Sequence, residues 1–199
     1  LTLSILVDQN VSCFGANDGS AVATALGGSG NFTYDIDGGI AFTNNTGIFS
    51  GLIPGPHTIC AKESPSNVIV CASFTITEPT EITGTITIDE TVSCFGNDGQ
   101  LSVTINGGTT VLQSYLTLWT NANGDTLNDQ SNDNFATTID SLPIGDYFVR
   151  IEDDNGCVLN LSATLGLTPP VAVTASASPI LCHGGTSLIT PNATGGSGV

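Results

Sequence analysis

The residues with the most evident chemistry in this sequence are its cysteines. There are six of them, and they stand at Cys13, Cys60, Cys71, Cys94, Cys157 and Cys182. Cysteines at regular positions are typical of an oxidising compartment, where they form disulfides. A zinc site is disfavoured because the Cys-x2-Cys spacing does not occur and only two histidines are present. The cysteines therefore predict cross-links in a secreted protein.

Three of these cysteines belong to an internal repeat. The stretch Val11–Gly19 reads Val-Ser-Cys-Phe-Gly-Ala-Asn-Asp-Gly, and Val-Ser-Cys-Phe-Gly-Asn-Asp-Gly returns at 92–99. A weaker third copy begins at Leu181. The period of roughly 80 to 90 residues is the size of one β-sandwich domain. We therefore predict one domain at 1–79, a second at 80–168 and the start of a third at 169–199.

The third copy ends directly after its Gly-Gly-Ser-Gly turn, before most of its strands. We therefore expect the natural chain to continue, and we expect Cys182 to pair with a residue in that continuation. No charged region precedes an apolar stretch at the start, so we expect the signal peptide to lie outside this sequence.

Cys94 and Cys157 are the cysteines of the second repeat, so we predict that they form a disulfide. This bond closes a loop of roughly 64 residues and, in the chain-entropy model, stabilises the domain by roughly 4 kcal/mol. The equivalent pair in the first repeat is Cys13 with Cys71, which leaves Cys60 over. A bond between Cys60 and Cys71 across a hairpin is the alternative.

Two acidic turns are a candidate calcium site. If the predicted disulfide of the second repeat forms, Asn97-Asp98-Gly99 comes near Asp153-Asp154-Asn155. Several oxygen ligands on two adjacent turns suit a hard cation such as Ca²⁺. The alternative is that both are simply favourable turn sequences. The first repeat has Asp18 but lacks the second acidic turn, so we expect no cofactor to be generally required.

Other candidate sites have structural explanations. The residues suggest no nucleophile–base arrangement, and structural roles are expected for His57 and His183, so we predict that the protein is not an enzyme. Trp119, Tyr115 and Phe32 are candidates for a sugar-stacking platform. Core packing is the alternative, because a strand of a sandwich domain commonly buries a tryptophan.

The segments between these residues predict an all-β protein. The 24 glycines and 9 prolines separate short apolar runs rich in Thr, Val and Ile, and no helical stripe is present. Apolar residues alternate with Thr and Ser at 82–88 and 101–105, which predicts half-buried antiparallel sheets. In the second repeat we predict strands at roughly 82–89, 100–105, 114–119, 125–128, 135–140, 146–152 and 157–164.

We therefore predict tandem immunoglobulin-like antiparallel β-sandwich domains arranged as an extended rod. The Leu-x-x-Gly-x-Tyr stretch that ends at Tyr147 predicts the tyrosine corner of such sandwiches, and His57 holds that place in the first repeat. Proline at the junctions 79–80 and 168–170 is expected to limit bending between neighbouring repeats.

The charge excludes several classes of partner. The 18 acidic residues against 2 basic ones give a net charge of −16. Nucleic acid is disfavoured because binding its phosphates requires Lys and Arg, and an anionic membrane surface is disfavoured for the same reason. No run of apolar residues is long enough for a transmembrane helix, so we predict no direct membrane insertion.

The ordered motifs resemble those of a known family. Cys-Phe-Gly-x-Asn-Asp-Gly, a Gly-Gly turn, Leu-x-x-Gly-x-Tyr-x-Val and the Asp-Asn-Gly-Cys of 154–157 together resemble the SprB repeat, which occurs in very large surface adhesins of gliding Bacteroidetes. The resemblance implies type IX secretion, attachment at the outer membrane and a role in gliding motility. It also suggests O-glycosylation at Asp-Ser/Thr-apolar motifs, which here contain Thr126 and Ser141.

These observations predict structural and adhesive repeat modules of a long, secreted cell-surface filament. The expected partners are neighbouring repeats of the same chain and extracellular surfaces or polysaccharide. The alternative prediction is a carbohydrate-binding accessory module of a secreted enzyme.

Overall fold

The computed structural model describes residues 1–38, 40–93, 96–111, 115–128 and 137–196. Within these ranges the regular elements are all strands, which confirms the predicted all-β class. No helix long and apolar enough to cross a membrane occurs among the described residues.

The first repeat is an antiparallel sandwich. Its described strands are β1 (Thr2–Gln9), β2 (Gly19–Leu26), β3 (Phe32–Ile36), β4 (Ile48–Leu52), β5 (Gly55–Glu63) and β6 (Ile69–Ile76). They pair in the orders β1-β2-β4 and β3-β5-β6. This corresponds to the division of strands between the two sheets of an immunoglobulin-like domain.

Alternation along the strands builds the core of this repeat. Strand β5 buries every second side chain, from His57 through Ile59 and Ala61 to Glu63. Buried residues of both sheets form one apolar cluster with Val11 of the turn after β1. The cluster consists of Val11, Ala21, Ala23, Ala25, Tyr34, Phe49, Leu52, Ile59, Ala61 and Ile76. Small alanines on β2 face larger side chains from the other strands, so the two sheets pack closely.

The second repeat follows the same plan. Its strands are β7 (Thr83–Glu90), β8 (Gly99–Asn106), β9 (Leu116–Asn121), β10 (Thr126–Asn128), β11 (Thr138–Leu142), β12 (Gly145–Glu152) and β13 (Val158–Leu165). They pair in the orders β11-β8-β7 and β10-β9-β12-β13. The predicted strands of this repeat are therefore confirmed to within a few residues, except at 114 and 135–136, which lie outside the described residues. Trp119 is fully buried, as are Leu101 and Val149.

The start of the third repeat is a two-stranded sheet. Strands β14 (Ala172–Ala177) and β15 (Ile189–Thr194) pair antiparallel from Ala172 opposite Thr194 to Ala177 opposite Ile189. Both strands are exposed at every position. Two strands alone bury too little apolar surface for independent stability.

The chain divides into two compact units. The first contains Leu1–Gly84, Ile105–Tyr115 and Ile151–Leu159, and the second contains Thr85–Thr104, Leu116–Arg150 and Asn160–Val199. Two short stretches of the second repeat therefore belong to the same compact unit as the first repeat. The domain boundaries drawn from the sequence remain a prediction.

Candidate functional site

The turn between β1 and β2 positions Cys13. The Ala16 amide donates to the Cys13 carbonyl at 3.0 Å, and Gly15 has a φ of 72°, which favours glycine. Asp18 closes this turn, because its Oδ1 accepts a hydrogen bond from the Ser12 amide at 3.0 Å. Hydrogen bonds from the Ser12 side chain and backbone lower the pKa of Asp18. The carboxylate therefore stabilises the turn that carries the cysteine.

The second repeat builds its corresponding turn in the same way. Asp98 Oδ1 accepts from the Ser93 amide at 2.8 Å, and hydrogen bonds from the Ser93 side chain and backbone lower the pKa of Asp98. The acid of the Asn-Asp-Gly motif thus has the same role in both repeats.

A buried carboxylate organises the hairpin between β12 and β13. Asp153 is 6% exposed, and its Oδ1 accepts from the amides of Asn155 at 3.0 Å and Cys157 at 2.8 Å. Its Oδ2 accepts from the Thr109 amide at 2.8 Å. Asp154 adds a further bond from the Val111 amide, at 2.6 Å. The two acids therefore join the hairpin to the loop that follows β8.

The first repeat has the same arrangement with Glu63, which is 7% exposed. Glu63 accepts hydrogen bonds from the Ser66 hydroxyl and the Ser29 amide, and these bonds lower its pKa. A Cβ on Gly28 would collide with the Glu63 carboxylate, so the observed position of this acid requires a glycine at 28. The sequence analysis did not predict the structural roles of Glu63 and Asp153. The signal in the sequence was an acid at or directly after the end of the equivalent alternating strands β5 and β12.

Two disulfides are present in the described part of the chain. Cys13 bonds to Cys157 with a Cα–Cα distance of 5.6 Å, and Cys60 bonds to Cys71 with a Cα–Cα distance of 4.0 Å. The Asn155 side-chain amide also donates to the Ser12 carbonyl at 3.0 Å. The Cys13–Cys157 bond therefore joins the first turn of one repeat to the last hairpin of the next, within one compact unit.

The predicted pairs Cys13–Cys71 and Cys94–Cys157 are wrong, because Cys71 and Cys157 have other partners. Cys71 is the third residue of β6 and lies directly opposite Cys60 on β5, whereas Cys157 precedes β13. The two cysteines that were treated as equivalent therefore occupy different places in the sandwich. The alternative pairing of Cys60 with Cys71 is confirmed, and Cys94 lies outside the described residues.

Strand direction explains why Cys13 and Cys71 do not meet. Gly19 at the start of β2 pairs with Leu52 at the end of β4, and β5 begins only three residues later, at Gly55. Strand β5 then runs away from the Cys13 turn at roughly 3.4 Å per residue. Cys71 pairs with the sixth residue of that strand, far from the turn.

Acidic residues of the calcium candidate already bond the backbone of the chain, since Asp98 accepts from the Ser93 amide and Asp154 accepts from the Val111 amide. The Asp153 oxygens already accept three backbone amides. No group of three or more His, Cys, Asp or Glu in the described part of the chain is arranged to hold a metal ion. Calcium binding remains a prediction.

The predicted sugar platform is not formed around Trp119, whose exposed fraction is 0%. Core packing, the alternative interpretation, is therefore correct for this residue. Tyr115 is half-buried, and its hydroxyl donates to the Gly107 carbonyl at 2.6 Å. Phe32 packs against the core of the first repeat.

The two glycosylation candidates are both exposed. Thr126 lies on β10, and Ser141 lies on β11 with its hydroxyl 3.0 Å from Asp140 Oδ1. Their exposure permits modification, which remains a prediction.

The tyrosine corner is present in the second repeat, and a histidine makes the equivalent contact in the first. The Tyr147 hydroxyl donates to the Pro143 carbonyl at 2.7 Å, as predicted. In the first repeat, His57 Nε2 lies 2.8 Å from the Ile53 carbonyl and Nδ1 lies 2.7 Å from Asp37 Oδ2. The bond to Ile53, opposed by burial and assisted by Asp37, raises the pKa of His57. Burial acts to raise the pKa of Asp37, but hydrogen bonds from Thr58 and His57 lower it overall.

The paired antiparallel sheets and the tyrosine corner define immunoglobulin-like β-sandwich domains. Residues 7–40 match the family model of the SprB repeat, which confirms the resemblance over the start of the first repeat. The match supports a repeat module of the cell-surface adhesin type. No curated protein sequence matches the chain.

Several solved structures match the chain at low similarity. The three N-terminal domains of the bacteriophage RB49 highly immunogenic outer capsid protein (Hoc) are 16% identical, with a TM-score of 0.46, and the match covers 98% of this chain and 71% of that one. A Dscam structure is 15% identical, with a TM-score of 0.36 and coverages of 84% and 47%. Murine CEACAM1b is 13% identical, with a TM-score of 0.34 and coverages of 83% and 100%. The fold assignment rests on the strand pairing rather than on these similarities.

Proposed function

We propose that the chain consists of structural and adhesive repeat modules of a long, secreted cell-surface filament, an adhesin of the gliding-motility type. The observation that carries the proposal is how the repeats use their polar side chains. Asp18, Asp98, Glu63 and Asp153 all bond the chain's own backbone at equivalent places in the two repeats. Side chains that bond the backbone in this way stabilise the fold that the two repeats share. No catalytic role is proposed for them.

The surface charge suits a module of a long filament. With 18 acidic residues against 2 basic ones, neighbouring filaments repel one another and remain separate. Many weak contacts along such a filament would give strong attachment through multivalency. In this proposal the repeats form an extended rod, leave the cell by type IX secretion and are held at the outer membrane by other parts of the protein.

The proposal is tested in the full-length protein by replacing residues 1–79 with a second copy of 80–168. A spacer module tolerates this exchange, because filament length and module number stay the same. Deletion of 1–168 shortens the filament and reduces attachment to glass or polysaccharide-coated surfaces. Electron microscopy measures the length, and an antibody on intact cells verifies export. Loss of attachment in the exchange variant, with normal export and length, contradicts the spacer role.

A carbohydrate-binding accessory module of a secreted enzyme is the second candidate. It rests on a groove of about 450 Å³ in the second repeat, lined by Leu118, Phe148, Arg150, Leu161 and others. The Phe148 side chain is 44% exposed, and aromatic side chains commonly line small-molecule sites. Affinity electrophoresis in polysaccharide gels tests this function. Retardation that Phe148→Ala abolishes supports it, and unretarded migration in every polysaccharide opposes it.

A further inference from the structure

The two disulfides of the described chain are nested. Cys13 and Cys157 are 144 residues apart in sequence, and Cys60 and Cys71, which are 11 residues apart, both lie between them. Strands β2 to β12 also lie between Cys13 and Cys157, so this one bond encloses most of both sandwiches. Strand β1 precedes Cys13 in the sequence, and strands β13 to β15 follow Cys157.

A force applied to the two ends of a chain travels along its shortest covalent path. Here that path runs from the first residues to Cys13, crosses the sulfur–sulfur bond and continues from Cys157 toward the last residues. The enclosed segment is a side loop of this path. Tension in the chain cannot stretch it, whether or not its strands stay paired.

We propose that the Cys13–Cys157 bond is a mechanical bypass that removes residues 14–156 from tension along the chain. A fully extended chain spans at most about 3.5 Å per residue. The bond therefore prevents roughly 500 Å of extension, which is the extended length of the 144-residue separation. While the bond is intact, tension cannot extend residues 14–156, whereas β1 and β13 remain in the path that carries the force.

Hydrogen bonds hold both ends of the bypass in place. On one side, the Cys13 carbonyl accepts from the Ala16 amide, and Asp18 fixes the Ser12 amide. On the other side, buried Asp153 accepts from the Cys157 amide at 2.8 Å. The Asn155 side chain then bonds the Ser12 carbonyl directly, beside the disulfide. The two half-cystines therefore lie on hydrogen-bonded turns that also contact each other through the Asn155 side chain.

This inference goes beyond the proposed function and does not depend on it. The covalent path is the same whether the chain is a filament spacer, a sugar-binding module or neither. A failed attachment experiment leaves the bypass unaffected, and a failed stretching experiment leaves attachment unaffected.

Single-molecule force spectroscopy of the oxidised chain, held by its two ends, tests the bypass. All variants carry Cys94→Ser and Cys182→Ser, so that no other cysteine can take part in disulfide exchange with the two bonds. Relative to this parent, Cys13→Ser/Cys157→Ser should add roughly 460 Å to the total extension, because only the 11-residue loop remains closed. The matched control, Cys60→Ser/Cys71→Ser, should add nothing, since that bond lies inside the enclosed segment. Removing all four cysteines should add roughly 500 Å.

A second measurement does not depend on the folding of the variants. The parent is held at constant force, and dithiothreitol is added to reduce the disulfides chemically. Cleavage of the Cys13–Cys157 bond should appear as one large lengthening of several hundred ångströms. Extension of the oxidised parent to the length of the cysteine-free chain, or any lengthening of the parent by Cys60→Ser/Cys71→Ser, overturns the proposal.

Discussion

His57 and Tyr147 occupy the same place in successive repeats, and each binds the backbone carbonyl four residues before it. The Tyr147 hydroxyl reaches Pro143 at 2.7 Å, and His57 Nε2 reaches Ile53 at 2.8 Å. The histidine has a second nitrogen, which lies 2.7 Å from Asp37 Oδ2. Histidine in place of tyrosine therefore retains the hydrogen bond to the carbonyl four residues earlier. It also adds an ionisable contact, with Asp37, to the first repeat.

The first prediction concerns the pH dependence of the first repeat. Because the folded state raises the pKa of His57, the stabilisation is complete below its ordinary value of 6.5 and is lost as the pH rises through the folded value. The first repeat should therefore be less stable at pH 9 than at pH 5.5. His57→Tyr should retain the bond to Ile53 and lose this dependence. Thermal unfolding followed by circular dichroism at both pH values measures the effect. An equal pH dependence in the variant contradicts the assignment.

The second prediction concerns the tyrosine corner of the second repeat. Tyr147→Phe removes one hydroxyl from a side chain that is 2% exposed and leaves the Pro143 carbonyl without this donor. We expect a loss of about 1 kcal/mol in the free energy of unfolding. Guanidinium titration measures it. Phe148→Tyr, on the adjacent exposed position, is the control and should change stability by less than about 0.5 kcal/mol.

The third prediction compares two glycines of the second repeat with nearly identical backbone angles, Gly107 at φ 81° and Gly124 at φ 83°. The Cβ that Gly124→Ala adds meets open space. The variant should therefore lose only about 1–2 kcal/mol of unfolding free energy, from the strain of a left-handed backbone conformation. Gly107→Ala places its Cβ against the Glu81 carbonyl and should cost about 1–3 kcal/mol more. Chemical denaturation of both variants gives the difference. Equal costs would show that the close approach at Gly107 is absent.

The fourth prediction concerns the buried acid of the last hairpin. Asp153→Asn replaces one acceptor oxygen by a donor facing a backbone amide, which should cost about 1–3 kcal/mol in unfolding free energy. The neighbouring Asp154→Asn is the matched control, because Asp154 is exposed and has one amide partner, Val111. We expect it to cost less than about 1 kcal/mol. Amide hydrogen exchange at Asn155 and Cys157 should accelerate only in the Asp153 variant.

The fifth prediction concerns an unsatisfied hydroxyl. Thr117 is 3% exposed, and its Oγ1 has no hydrogen-bond partner among the described residues. Thr117→Val keeps the shape and removes the polar group, so it should stabilise the second repeat by about 1 kcal/mol. Thr104→Val at an exposed position of β8 is the control. A destabilised Thr117 variant in thermal unfolding would indicate a partner for the hydroxyl.

Local patterns in the sequence were sufficient to predict the strands. The alternation from Leu101 to Ile105 lies within β8, and the corner motif correctly placed Tyr147. These features depend on neighbours along one strand or on a four-residue turn, so composition and spacing reveal them.

The disulfides were mispredicted because they depend on contacts that are distant in sequence. Reasoning within each repeat aligned Cys71 with Cys157, although one lies within a strand and the other lies in a hairpin loop. The bond of Cys157 to Cys13 crosses between repeats, and no local pattern indicates it. The buried, structural role of Glu63 and Asp153 was missed for a related reason, since an acid beside turn residues is normally solvated.

The burial of Trp119 gives the protein a built-in optical label. It is the single tryptophan of the chain, and it has no exposed surface. Its emission should shift to longer wavelength only when the interior of the second repeat is opened to water. Fluorescence can therefore follow the loss of that repeat separately, while far-ultraviolet dichroism records the whole chain. Two non-coincident curves would then give the order in which the repeats unfold, without any added dye.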